Sequence, residues 1–268
     1  LDSEMQVGAL LAEVMKAAKL KCFEGDVHET WGKGDFHKQL PLLLAKLAFL
    51  FSLQRSNLII ANADGSITTE CFIERQGTLG AIQPHCIQVL GVIGLLGGAR
   101  QGQVTNQISE VLTGQGKSWV LQLMSSVFVV TGKDAVVLCH NADLTARDGH
   151  DAYPFLNLLA QGARNAKHSI GEVRYQTYRE MCWAMLESAS SASAESELMG
   201  EGKSANSYGL ETLIEMALND AQAAKNAVKS GEMASLRSHQ LSKGTVLLID
   251  EVDVLFGSLF GAMFSPVQ

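Results

Sequence analysis

The stretch Leu112-Thr-Gly-Gln-Gly-Lys-Ser-Trp119 constrains this chain more than any other, because its chemistry works in one structural setting. A phosphate-binding loop needs a tight glycine-rich turn that aims backbone N–H groups at the anion from the start of a helix. The lysine adds charge opposite the outer phosphates, and the serine hydroxyl reaches Mg2+. A strand must lead into such a loop and a helix must leave it. Residues 108–112 read as the strand. Beyond the loop, Trp119, Val120, Leu123, Met124, Val127 and Phe128 fall at helical spacing and predict a buried helix over 117–130, closed by Thr131-Gly132-Lys133.

The same G-x-G-K-S letters recur from Gly200 to Ser204, but there the setting fails. That copy follows a Ser/Ala tract without β-branched residues, and Asn206-Ser-Tyr-Gly209 after it does not continue a helix. The first copy is therefore the candidate nucleotide-binding loop, formed by Thr113, Gly114, Gln115, Gly116, Lys117 and Ser118. The second, with Lys203, reads as part of a solvated insertion.

A phosphate cradle hydrolyses nothing without carboxylates that hold the metal shell and orient water. Leu247-Leu-Ile-Asp250-Glu251-Val-Asp253 offers them at the end of an apolar strand. Asp250 is placed toward Mg2+ through water, together with the Ser118 hydroxyl. Glu251 is the candidate catalytic residue that orients the attacking water, and Asp253 the one that couples nucleotide state to motion. An acidic turn after a strand is common. Its pairing with an upstream phosphate loop is what makes ATP or GTP, with Mg2+, the expected ligand, and the resemblance given below narrows this to ATP.

The rest of the chain supplies a frame. Its 268 residues, 47% hydrophobic, suffice for one large or two modest domains with a proper core. The apolar runs at 134–139 and 245–249 suit parallel strands covered on both faces. The helical segments between them predict a three-layer α/β domain over 83–268, interrupted by a small, polar insertion at about 188–243. Within that insertion a helix is expected from about Leu210 to Val228, stopped at Gly231. Before residue 83, helices are expected at 2–21 and 39–53, and a hairpin at 56–73 turning at Asp64-Gly65.

Several classes are disfavoured. The net charge of −7 gives no basic footprint for nucleic acid but does not exclude it, because one basic face can hide inside an acidic total. The apolar run 40–51 carries Lys46 and is shorter than the ~18 residues of a membrane span, so it reads as a core helix. Cys22, Cys71, Cys86, Cys139 and Cys182 lack any C-x-x-C pair, which argues against zinc and for reduced, buried thiols in the cytoplasm. No G-x-S-x-G elbow suggests a serine hydrolase. Asp148-Gly-His150-Asp151 reads as a solvated helix start, with Arg147 pairing on the surface with Asp148 or Asp143. Tyr178 and Trp183 are expected to pack against the sheet. The chain begins at Leu1 without a signal-peptide pattern, so a piece of a longer protein is expected.

Taken together, these ordered segments resemble the first motor lobe of the SecA family of preprotein translocase ATPases. Ile108-Ser-Glu-Val-Leu-Thr-Gly-Gln-Gly-Lys-Ser118 is similar to the family's I-A-E-M-x-T-G-E-G-K-T, which also lacks the first glycine of the general phosphate loop. Thr131-Gly-Lys133, Asn141-Ala-Asp-Leu-Thr-Ala-Arg-Asp148 and Asp250-Glu-Val-Asp253 follow in the family's order. Upstream, His85-Cys-Ile-Gln88-Val-Leu-Gly91 is similar to F-D-V-Q-L-I-G, which implies that Gln88 reads the adenine edge. Gln115, Ser118 and Gln176 depart from the family's Glu, Thr and Gly, and Val254-Leu-Phe-Gly257 replaces an acidic run.

The resemblance implies a RecA-like P-loop fold with a central parallel sheet and an N-terminal extension at 1–82. It implies a motor that acts on unfolded polypeptide at a membrane channel, from the cytoplasm or the membrane periphery. Arg147 would lie on the face used for coupling or substrate contact. The family's second lobe, with its arginine finger, is expected beyond Gln268, so these residues are expected to bind nucleotide and turn it over slowly. A DEAD-like helicase lobe and a catalytically idle nucleotide-binding module are the alternatives, the first disfavoured because 147–250 lacks a basic or aromatic strand path.

Overall fold

The computed structural model describes residues 3–56, 58–62, 66–69, 82–98, 104–112, 114–181 and 245–252. By backbone contact these group into two compact units. The larger draws on residues within Leu1–Val137, Ala146–Arg174 and Gly244–Leu248. The smaller draws on those within Leu138–Thr145, Tyr175–Lys243 and Ile249–Gln268.

The larger unit is built on amphipathic helices. Helix α1 (Ser3–Ala18) buries Val7, Leu11, Val14, Met15 and Ala18, the stripe that a 3.6-residue period produces. A 3-10 turn (Lys21–Phe23) leads to the short α2 (Val27–Thr30), whose Asp26 side chain accepts from the His28 and Glu29 N–H groups. Helix α3 (Phe36–Arg55) is longer at both ends than its apolar run predicts. Packing explains the added first turn, since Phe36 is fully buried with its ring 5.5 Å from Phe23 and 5.4 Å from Trp31.

Among the described residues, α3 alone is long and apolar enough to cross a membrane by length and composition. Its inner face is nonetheless the core of this unit: Leu40, Leu43, Leu44, Leu47, Leu50 and Phe51 are all fully buried. Lys46 on the same helix pairs with Glu13 of α1 at 2.9 Å. A hairpin follows, with β1 (Ile59–Ala61) antiparallel to β2 (Ile67–Thr69) and Ala61 opposite Ile67. The Asp64-Gly65 turn expected between them lies outside the described residues.

Helix α4 (Cys86–Leu95) packs against α5 (Lys117–Val130), which has the bounds its apolar spacing predicts. Aromatic contacts lock α5 in place. Trp31 stacks on Phe128 with ring centroids 5.4 Å apart, and its indole N–H donates to the Phe23 carbonyl. Phe51 meets the rings of Trp119 and Phe155 edge-on at 5.2 and 5.1 Å. Phe155 belongs to α6 (Ala142–Asn165).

Three strands, β3 (Ala135–Cys139), β4 (Val173–Thr177) and β5 (Val246–Ile249), form a parallel sheet in the order β4-β3-β5. The Val246 N–H donates to the Asp134 carbonyl and the Asp250 N–H to that of Leu138. Equal steps in the same direction on both chains are the mark of parallel pairing. Central β3 is buried along its whole length, as an unbroken Ala-Val-Val-Leu-Cys run requires. The chain is thus a mixed α/β protein with a parallel sheet flanked by helices.

Three expectations are corrected. Residues 108–112 form no strand, and Ile108 and Leu112 are 80% and 66% exposed. A strand in a doubly covered sheet needs a continuous apolar run, and Ser109-Glu110 breaks this one. Asp148 is not at a solvated helix start but inside α6, 4% exposed. Cys86 is exposed at the first position of α4, whereas Cys139 is buried and Cys22 half-buried. The expected helix and loop at 188–243, the second G-x-G-K-S copy, Trp183 and Asp253 lie outside the described residues.

Candidate functional site

In the larger unit, the phosphate-loop candidate enters α5 through two glycines in left-handed backbone, Gly114 (φ +83°) and Gly116 (φ +76°). Residues with a side chain enter that region at a cost of about 1–2 kcal/mol, so the G-x-G spacing suits this turn. The turn is closed by the Gln115 N–H on the Leu112 carbonyl at 3.1 Å. Gly116 is the N-cap of α5 and, having no side chain, leaves the first turn without a side-chain cap. Lys117 is the first residue of the helix. Thr113 lies outside the described residues.

Gln88 sits against this loop. Its Oε1 accepts from the His85 N–H and its Nε2 donates to the Gln115 carbonyl, both at 2.8 Å. A Cβ on Gly116 would lie 2.2 Å from that Nε2, so a side chain there would meet an unfavourable φ and also displace the Gln88 amide.

Ser118 follows on α5, and its hydroxyl donates to Oδ2 of Asp148 at 3.0 Å. The other carboxylate oxygen, Oδ1, accepts from Nε of Arg147 at 2.9 Å and lies 2.7 Å from its Nη2. Arg147 itself is 60% exposed, so a solvent-facing guanidinium neutralises a buried carboxylate. The Arg147–Asp148 pair is one of those the sequence offers. The link to Ser118 is not foreseen. A signal for it exists: Asp148 shares a helix face with the buried Thr145, Ala152, Phe155 and Leu159.

In the smaller unit, Asp250 and Glu251 directly follow β5. Asp250 Oδ1 accepts from the Glu251 N–H at 3.0 Å, and Glu251 takes a left-handed φ of +51°. The buried Tyr178 directs its hydroxyl to the carbonyls of both Asp250 and Glu251. Tyr178, expected to pack against the sheet, thus forms a polar clamp on the acidic turn. A non-glycine residue held in left-handed backbone stores strain that its surroundings must over-determine.

The residues present fit a phosphate. They offer an uncapped helix start, a lysine in its first turn, and open space around the Cα of Gly114. They also fit a divalent cation near Ser118, because a hydroxyl whose proton is donated to a carboxylate keeps its lone pairs for a metal. No family model and no curated protein matches this chain.

Proposed function

We propose that this chain is a nucleotide-binding lobe of a P-loop ATPase of SecA type, with a RecA-like sheet. In this reading Thr113 to Ser118 hold the phosphates of ATP, Lys117 supplies the charge and Ser118 ligates Mg2+; the role of Asp250 in the metal shell, through water, rests on the sequence alone. Mg2+ would supply electrostatic stabilisation of the transferring phosphoryl group. Glu251 orients the water. The single observation that carries the reading is the pair of left-handed glycines opening directly onto a buried helix whose first residue is lysine. The strained, clamped turn at Asp250-Glu251 supports it.

Gln88 is read differently from the resemblance. Its amide is engaged with the loop backbone, which favours a role in holding Gln115 over contact with adenine. Action on an unfolded polypeptide, a membrane channel as partner and a cytoplasmic or membrane-peripheral location rest on the resemblance alone. So does slow turnover by these residues, for want of an assigned arginine finger.

One observation favours a second reading, an idle nucleotide-binding module: among the described residues no strand precedes the loop at 108–112. Phosphate release from Mg-ATP, measured beside binding of a fluorescent nucleotide, separates the two. The motor reading expects slow hydrolysis that Glu251→Gln abolishes while nucleotide binding persists. Binding without any hydrolysis in wild type supports the idle module, and hydrolysis that survives Glu251→Gln removes Glu251 from its role.

A further inference from the structure

We infer that Asp148 is a positioning residue for the cation: it fixes the Ser118 hydroxyl so that its oxygen, not its proton, meets the metal. The inference rests on the nucleotide reading above and adds to it a residue from α6.

A serine hydroxyl has one proton and two lone pairs and rotates freely about its C–O bond. To ligate a cation it must turn its lone pairs toward the ion, which requires the proton to have an acceptor elsewhere. Asp148 Oδ2 is that acceptor, 3.0 Å from Ser118 Oγ. The carboxylate is well placed to hold one orientation. It is only 4% exposed, its second oxygen is occupied by Arg147, and it stands within a 24-residue helix. A hydrogen bond to a carboxylate also raises electron density on Oγ, as outer-shell partners do for other metal ligands. Arg147 serves at one remove, by fixing Asp148.

Calorimetric titration of ATP into the full chain, once with Mg2+ and once with EDTA, tests this through binding alone. For wild type the ratio of the two affinities gives the Mg2+ advantage. Ser118→Ala is expected to abolish that advantage. Asp148→Asn is expected to reduce it about 10-fold or more, with the EDTA affinity changed less than about twofold, in line with the loss of other outer-shell partners. The double variant should be no worse than Ser118→Ala. Because burying an amide beside Arg147 could disturb folding, Arg147→Gln provides a surface route to the same carboxylate and should lower the Mg2+ advantage severalfold. An unchanged Mg2+ advantage in both Asp148→Asn and Arg147→Gln overturns the inference. Equal wild-type affinity with and without Mg2+ overturns it while leaving the nucleotide reading intact. No wild-type binding in either buffer overturns both.

Discussion

Replacing Gly116 by alanine isolates what the loop geometry demands. Two costs are legible. The left-handed φ of +76° costs a side-chain-bearing residue about 1–2 kcal/mol. Stiffening of the unfolded chain offsets about 0.4–1 kcal/mol of that, leaving roughly 1 kcal/mol. The new Cβ would also lie 2.2 Å from Gln88 Nε2, so that side chain must swing away from the Gln115 carbonyl. Losing this bond adds about 0.5–1.5 kcal/mol, for a total near 2 kcal/mol. Gly114 is the internal control: its φ is +83° and nothing stands within 4 Å of a Cβ there, so Gly114→Ala carries only the backbone term. Urea unfolding of both variants, in wild-type and Gln88→Ala backgrounds, measures the difference. Gly116→Ala should be the more costly by about 1 kcal/mol, and that excess should vanish when Gln88 is alanine. Equal costs at the two glycines, or an excess that survives Gln88→Ala, would refute the packing of Gln88 on the loop.

Three further outcomes follow from packing and charge. Phe51→Ala removes a fully buried ring that touches Trp119 and Phe155, and should cost about 3–5 kcal/mol in a denaturant titration. Cys86 is exposed, Cys139 is buried, and burial pushes the Cys22 thiol up, so thiol labelling followed by peptide mass analysis should modify Cys86 before the other two. The hydrogen bond from Lys46 and its charge hold the Glu13 carboxyl below its ordinary value of 4.5. Since the folded value is depressed, the pair's contribution is present above that ordinary value and disappears as pH falls through the folded one. An NMR titration should place the Glu13 midpoint below 4.5 in wild type and higher in Lys46→Met.

The elements legible in the sequence are those whose periodicity is uninterrupted. The stripe of α1, the core of α3, the bounds of α5 and the apolar runs of β3 and β5 all follow from spacing and burial. The G-x-G pair likewise announced a tight turn, which its glycines make in left-handed backbone. What was not legible depends on tertiary partners. Residues 108–112 carry β-branched and apolar letters, but the Ser109-Glu110 break rules out only a strand covered on both faces, and whether the sheet covers both faces at that place is not encoded in spacing. Asp148 reads as polar and therefore exposed, yet it lies on the buried face of α6 because Ser118 and Arg147 satisfy both its oxygens. The clamp of Tyr178 on the Asp250-Glu251 turn joins residues far apart in the chain, beyond what local pattern carries.

On the proposed reading, the loop from Thr113 to Ser118, and not its second copy, binds nucleotide. Calorimetric titration of Mg-ATP and Mg-ADP into wild type, Lys117→Ala and Lys203→Ala addresses it directly. Wild type is expected to bind, Lys203→Ala to bind unchanged, and Lys117→Ala to lose binding. Binding that survives Lys117→Ala and disappears in Lys203→Ala, or no binding by wild type, would contradict it.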